Sequence, residues 1–321
     1  MRHNICYHSL VLVLVLFSGA SWAGTYPTRN PRMIVPYAPG GGTDIMARAV
    51  AQFMETPLGR RVVVVNKPGG MGSIGTAEVA EARPDGYTII MLSSADFVVT
   101  PLFVKDPGYK YDDFQIVARF NDTANCLIVK KDSQFKTFKE LVDFAKENPG
   151  KVTVSTSGDA HLLLGILIEQ ETGIKLSFVG FGGGGESLNA LLGGHVEAAL
   201  IDKRFIQQAE QSGCKALGVA SDQRFDTVAP DCPTFVEMGY NITDNATRLL
   251  AVPAQTPNDV VDVLTQAVLS FANGKEFEER LTSLGEVRKI ATGAEVTDFV
   301  KEQIAIFSHV VESNRDKIPL K

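Results

Sequence analysis

An apolar run at 33–37 breaks into Ala38-Pro39-Gly40-Gly41-Gly42 and passes directly into a helical pattern beginning Thr43-Asp44-Ile45-Met46-Ala47-Arg48. A strand that ends in glycines and feeds a helix is a unit of layered α/β folds, and the unit recurs down the chain. Strand-like runs fall at 32–37, 62–66, 87–92, 115–120, 126–130, 152–155, 198–201 and 216–220. Helical patterns lie between most of them, at 44–56, 73–82, 137–148, 160–172, 186–192 and 203–212. Such alternation predicts an α/β chain with mostly parallel sheets and helices on both faces.

The last third changes character. Beyond Val252-Pro253 helical patterns dominate, at 257–272, 275–284 and 294–313, with 286–290 extended. A helix-rich tail with one strand has too little sheet to stand alone, so it is expected to return and pack against the first lobe. A chain of 321 residues is long enough for two cores. The expectation is two α/β lobes joined by two chain crossings, near 121–125 and 244–250, with a cleft between them. In open α/β sheets ligands sit at the carboxyl ends of strands, where residues 40–43 lie.

Glycine lets the backbone turn tightly and approach a ligand, and the first amides of a helix have no intrahelical acceptor. A carboxylate or phosphate can be held there without a cationic side chain. An ordinary turn capped by Thr43 or Asp44 is the alternative for the same residues. A second glycine cluster, Gly180-Phe181-Gly182-Gly183-Gly184-Gly185-Glu186-Ser187, occupies the corresponding kind of position in the second segment. Ser155-Thr156-Ser157-Gly158-Asp159-Ala160 adds a third loop between strand and helix. Each lobe would then offer backbone-rich loops to one cleft, while flexible loops without a binding role are the plain alternative.

Arg2 and His3 precede an apolar run at 9–17, followed by Ser18-Gly19-Ala20-Ser21-Trp22-Ala23 with Ser21 and Ala23 placed for signal peptidase. Residues 1–23 read as a cleaved export signal, since the apolar run falls short of the roughly 20 residues a spanning helix needs. Cys6 lies before that run, so no cysteine stands at the cleavage point to carry a lipid. A free periplasmic protein is expected. The chain carries 31 Lys and Arg against 37 Asp and Glu, and losing Arg2 makes the balance more negative, which argues against nucleic acid as a partner. In an oxidising compartment Cys214 and Cys232 could pair, leaving Cys126 buried and free. No CxxC and no zinc spacing occurs, so no metal is expected.

Gly70-Met71-Gly72-Ser73-Ile74-Gly75 fits the dinucleotide fingerprint G-x-G-x-x-G. Three features argue against that reading. Lys67-Pro68-Gly69 displaces the first glycine from the strand end, no acid terminates the following strand, and an exported protein has little access to free NAD. Nucleophile-elbow, phosphate-loop and H-E-x-x-H motifs are absent from the sequence. His161 and His195 read as structural or ligand-adjacent groups, and His309 as part of a solvated helix face.

Taken together, Val35-Pro36-Tyr37-Ala38-Pro39-Gly40-Gly41-Gly42-Thr43-Asp44, Val63-Val64-Val65-Asn66-Lys67-Pro68-Gly69-Gly70, Ala82-Arg83-Pro84-Asp85-Gly86-Tyr87-Thr88 and Leu192-Gly193-Gly194-His195-Val196 stand in order over the chain. This combination closely resembles the substrate-binding receptors of tripartite tricarboxylate transporters, the Bug family. Thr137-Phe138-Lys139-Glu140-Leu141, Asn148-Pro149-Gly150-Lys151 and Ala254-Gln255-Thr256-Pro257 fit the same pattern.

The resemblance implies a type II periplasmic-binding-protein fold. Lobe 1 would comprise 24–123 and 248–321, and lobe 2 would comprise 124–247. It also implies a monomeric, non-enzymatic receptor without a cofactor, which closes on a small mono- or dicarboxylate and delivers it to membrane permease subunits. An orphan sensor signalling to a histidine kinase is the alternative, with an exported enzyme behind it. Carried over residue by residue, Tyr37, Ala38, Gly41, Gly42 and Thr43 would form the first wall, with Ser93, Ser94 and Ala95 beside it. Ser157, Gly158, Asp159, Ala160, His161, Gly183 and Gly184 would form the other.

The departures from the family concern the far end of the cleft. Gly180-Phe181-Gly182 stands where relatives usually have a proline, an aromatic and a lysine, which removes a cation from the cleft edge. Thr247-Arg248 replaces an aromatic pair. Arg248 is then either a positive group at the distal end of the ligand or a solvated hinge residue. Asp202 faces an ammonium or hydroxyl of the ligand, or caps the next helix.

Overall fold

The structure, a computed structural model, describes residues 26–315 apart from Gly158, Asp222, 225–228, Asn245, Ala246 and Gly285. The expected leader at 1–23 lies outside the described residues, as does Gly158 of the third loop.

From the amino end the order is β1 (Arg32–Val35), α1 (Gly42–Leu58), β2 (Val63–Asn66), α2 (Ser73–Ala80), β3 (Thr88–Ser93), α3 (Ser94–Phe103) and β4 (Phe114–Asp122). The middle forms β5 (Asn125–Lys130), α4 (Phe138–Glu147), β6 (Thr153–Thr156), α5 (Asp159–Thr172), β7 (Ser177–Gly180), α6 (Gly184–Leu192), β8 (Ala198–Asp202), α7 (Ile206–Gln211) and β9 (Cys214–Val219). The remainder forms β10 (Arg248–Pro253), α8 (Asn258–Ala272), α9 (Lys275–Ser283), β11 (Val287–Thr292) and α10 (Gly293–Ser313).

These strands build two sheets, ordered β11-β4-β10-β3-β1-β2 and β7-β6-β8-β5-β9. β1 lies parallel to β2 and β3, as short β-α-β units demand, and β10 enters antiparallel between β3 and β4. The second sheet repeats the plan, with β6 parallel to β7 and β8 and with β5 antiparallel to β8 and β9. Each sheet and its helices form a lobe. The chain crosses once from β4 to β5 and returns between β9 and β10.

Period-two alternation sorts the first sheet's side chains between two cores. Met33, Ile89, Met91, Leu250 and Val252 pack with Met46, Val50 and Met54 of α1 and Leu264 and Val268 of α8. Burying each such side chain contributes about 1.5–3 kcal/mol, so a charge at Val50 would break this layer. α1 ends where Gly59 takes a left-handed φ of 60° and returns its N–H to the Thr56 carbonyl. On the other face, Ile34, Ile90, Leu92 and Leu249 join a cluster that runs through Phe97 of α3, Leu163 and Leu164 of α5 and Phe307 of α10 into the second sheet. α5 is apolar nearly all round its first turns, as a helix buried between layers must be.

Two alternatives that the sequence left open are not found among the described residues. Cys126, Cys214 and Cys232 are free, buried thiols. Cys214 opens β9 opposite Lys130, whereas Pro233, next to Cys232, accepts from Val219 at the strand's far end, so most of β9 lies between the proposed partners. Neither Thr43 nor Asp44 caps α1. The N-cap is Gly41, whose carbonyl already receives the Ile45 N–H at 3.0 Å.

Candidate functional site

The loop between β1 and α1 is held from behind. Asp44, in the first turn of α1, is 2% exposed. Its Oδ2 accepts the Gly40 N–H at 2.9 Å and the Arg48 Nε–H at 3.0 Å, while Oδ1 accepts from Asn66 Nδ2 at 2.9 Å. Burial pushes the Asp44 carboxyl up, but the hydrogen bonds from Arg48, Gly40 and Asn66 outweigh it and hold the group below its ordinary range. Asn66 also donates to the Tyr37 carbonyl at 3.1 Å. The acid thereby fixes the loop, with Gly40 at a φ of 82°, and leaves Gly42 and Thr43 as the first amides of the helix. Ala38 and Gly41 are exposed, Tyr37 and Gly42 half-buried and Thr43 buried.

The second glycine loop uses the same device. Gly182 N–H donates to Glu186 Oε2 at 2.9 Å, across the same four-residue interval, with Gly183 as N-cap and Gly184 as the first residue of α6. A Cβ on Gly184 would stand 2.6 Å from the Phe205 ring, which reserves that position for glycine. Phe181 N–H bonds the Thr156 carbonyl at 2.8 Å, tying this loop to the one that follows β6.

That third loop carries a chain of side-chain hydrogen bonds. Ser157 N–H donates to His161 Nδ1 at 3.2 Å, so Nδ1 carries no proton, and the Ser157 hydroxyl meets the same nitrogen at 2.6 Å. The proton is therefore on Nε2, which donates to Asn125 Oδ1 at 2.8 Å. Asn125 Nδ2 in turn donates to Asp244 Oδ2. Burial lowers the His161 pKa to about 4 against the opposing pull of Asp202, so the ring is neutral. Sequence analysis found His161 but not Asn125 or Asp244, which lie 119 residues apart and meet only through the fold. Ala160 is half-buried, and Asp159 is the first residue of α5.

Asn125 and Asp244 stand at the two crossings, which run side by side. On the lobe 1 side the Thr247 hydroxyl donates to the Asn121 carbonyl, and Arg248 N–H donates to Asn121 Oδ1 at 2.8 Å. Asn121 Nδ2 reaches the buried Glu286 at 2.7 Å. Ser94 extends the sheet, giving its N–H to the Thr247 carbonyl and taking the Thr247 N–H on its hydroxyl, both at 2.9 Å. Ser93 and Ser94 are buried at the end of β3, and Ala95 follows in α3. Asp202 ends β8 opposite Asn125, and its charge acts on His161 and on the buried Lys203. It stands directly before the 3-10 turn Lys203–Phe205 that leads into α7, the place of a helix cap. Arg248 is not solvated: it is 5% exposed.

The G-x-G-x-x-G segment has a packing role. A Cβ on Gly75 would lie 2.7 Å from the Lys67 carbonyl oxygen, and Gly72 lies against the Tyr37 ring, so these glycines let α2 and its preceding turn press onto the first wall. A cavity of ≈ 810 Å³ beside Tyr26, Tyr87 and Val260 sits at the amino ends of β1 and β3, opposite the loops described above. Among the described residues no acid, cysteine and histidine cluster fits a metal, and no helix is long and apolar enough to cross a membrane.

Comparison with known proteins fits this geometry. Residues 46–315 match the family described as the tripartite tricarboxylate transporter family receptor. The protein BugT of Bordetella pertussis is 30% identical over 303 residues, 92% of each chain. A TctC solute-binding protein from Polaromonas superposes with a TM-score of 0.79 at 29% identity, over 90% of this chain and 99% of that one. MatC from Rhodopseudomonas palustris, solved with bound malate, gives 0.72 at 27% identity, over 89% and 100%. Members of the family are periplasmic solute-binding receptors, not enzymes. With two sheets in two lobes and a family match over residues 46–315, the chain belongs to the tripartite tricarboxylate transporter receptors, the Bug family.

Proposed function

We propose that this chain is exported, loses residues 1–23, and acts as a monomer that closes on a small mono- or dicarboxylate and hands it to the membrane subunits of a tripartite transporter. The pair of glycine loops carries this reading. Each opens a helix at the carboxyl end of a strand, and each is shaped by an acid four residues on, so its free amides are set for an anion. MatC, solved with malate, supports the carboxylate class.

In this reading Tyr37, Ala38, Gly41, Gly42, Thr43, Ser93, Ser94 and Ala95 form one wall. Ser157, Gly158, Asp159, Ala160, His161, Gly183, Gly184 and Asp202 form the other. Hydrogen bonds to a charged group contribute roughly 1.5–3 kcal/mol each, and micromolar binding needs about 8 kcal/mol, so a few amides suffice. The moving bodies are 24–123 with 248–321, and 124–247, turning about the two crossings. Binding is coupled to delivery because the transporter responds to the closed form. A thermal-shift screen of residues 24–321 against small carboxylates, with mass spectrometry of any copurified ligand, tests the reading. A protein that carries no carboxylate and answers to none sinks it.

A further inference from the structure

β10 runs antiparallel to β3, so Arg248, its first residue, stands at the sheet end where β1 and β3 finish. Opposed residues of an antiparallel pair project from one face, which puts Arg248 with its partner Ser93. Leu250 and Val252 share that face and pack with Met46, Ala47 and Val50 of α1. Arg248 and the first turn of α1 therefore occupy one end and one face of the same sheet.

The Arg248 Nε is buried without a hydrogen-bond partner, and among the described residues the guanidinium makes no ion pair. Its main-chain N–H is the group engaged by Asn121. Nearby cations are treated differently: Arg119 pairs with Asp122 and lies over the Phe299 ring, and Arg48 pairs with Asp44. Burying a guanidinium without an acceptor is costly, and that cost is recovered when an anion reaches it.

We propose that Arg248 anchors a second acidic group, so that the ligand is a dicarboxylate with one end on the loop before α1 and the other on this guanidinium. The assignment rests on the carboxylate reading above and narrows it. β3 alone separates β10 from β1, so their lines lie on the order of 10 Å apart, and the long arginine side chain reduces that gap to the span of a short diacid. A guanidinium also offers a carboxylate two parallel donors.

Calorimetric titration of residues 24–321 with succinate against butyrate, and glutarate against valerate, tests this in the natural chain, in Arg248→Met and in Arg248→Lys. Arg248→Met is expected to weaken the diacids about tenfold or more while leaving the monoacids within about twofold, and Arg248→Lys to retain part of the preference. Arg248→Met should also raise the Tm of the ligand-free protein, because an uncompensated buried charge is removed; a purely structural arginine would lower it. Equal weakening of both classes, or a natural chain without preference for diacids, overturns the assignment and leaves the carboxylate reading standing. Binding of none of the four acids overturns it too, and the thermal-shift screen then decides separately whether the receptor reading falls.

Discussion

The two glycine loops share one plan and differ in what stands behind it. In each, a carboxylate four residues on accepts a loop N–H at 2.9 Å. Asp44 is buried and braced by Arg48 and Asn66, whereas Glu186 is exposed. A charged acceptor inside a buried network fixes its loop before any ligand arrives; an exposed one competes with water and leaves its loop adjustable. In the proposed site the loop before α1 is thus preset, whereas the loop before α6 stays adjustable.

The contrast can be broken most severely at the preset loop. Gly42→Asp puts a carboxylate where the ligand's is expected, so ligand-induced thermal stabilisation should vanish; retained stabilisation would remove Gly42 from the site. Next, Asp44→Ala removes the buried carboxylate and leaves its three donors, from Gly40, Arg48 and Asn66, without it, and is expected to cost about 3 kcal/mol in urea unfolding. A loss below about 1 kcal/mol would mean that the loop holds its shape unaided.

Acidification sharpens the comparison, because the two walls fail in sequence. The His161 pKa falls from 6.5 in the unfolded chain to about 4 in the folded one, so the unfolded state binds more protons between those values. Stability is full above pH 6.5 and declines by roughly 3 kcal/mol on the way down to about pH 4. Asp44, held below the ordinary carboxylate range, contributes above that range and loses its share only as the pH falls through its lowered value. Hydrogen exchange at stepped pH should therefore show the loop after β6 loosening before the loop before α1, and His161→Gln should flatten the upper part of the profile. Simultaneous loosening would contradict the assignment. Smallest of all, Glu186→Ala should move global stability by no more than about 0.5 kcal/mol, as exposed capping interactions do.

The parts of the fold legible in the sequence were those with a local signature. Glycine breaks and apolar runs located β1, α1 and β3 to within a few residues, because each is defined by its own periodicity. β10 was read as a boundary, since its apolar core is short and ends in Pro253; its pairing with β3 and β4 is what makes it a strand. α3, short, largely apolar and containing Pro101, carries a weak helical period and packs between α5 and α10. At the candidate site the glycine loops were legible and their supports were not. Asp44 looked like a cap, and the links from His161 through Asn125 to Asp244 join segments remote in the chain.

The placing of β10 also sets an order of assembly. The strands of the second sheet, β5 to β9, come from one unbroken stretch, 125–219, so that sheet can pair as soon as this stretch is available. The first sheet cannot. β3 and β4 do not pair with each other, and their facing edges stay open until residues 248–253 slide between them. Loop closure over that distance is slow, and open strand edges invite pairing with other chains. The late-arriving strand is thus the step at which a half-folded molecule is most exposed to aggregation, and the one a folding helper would have to guard.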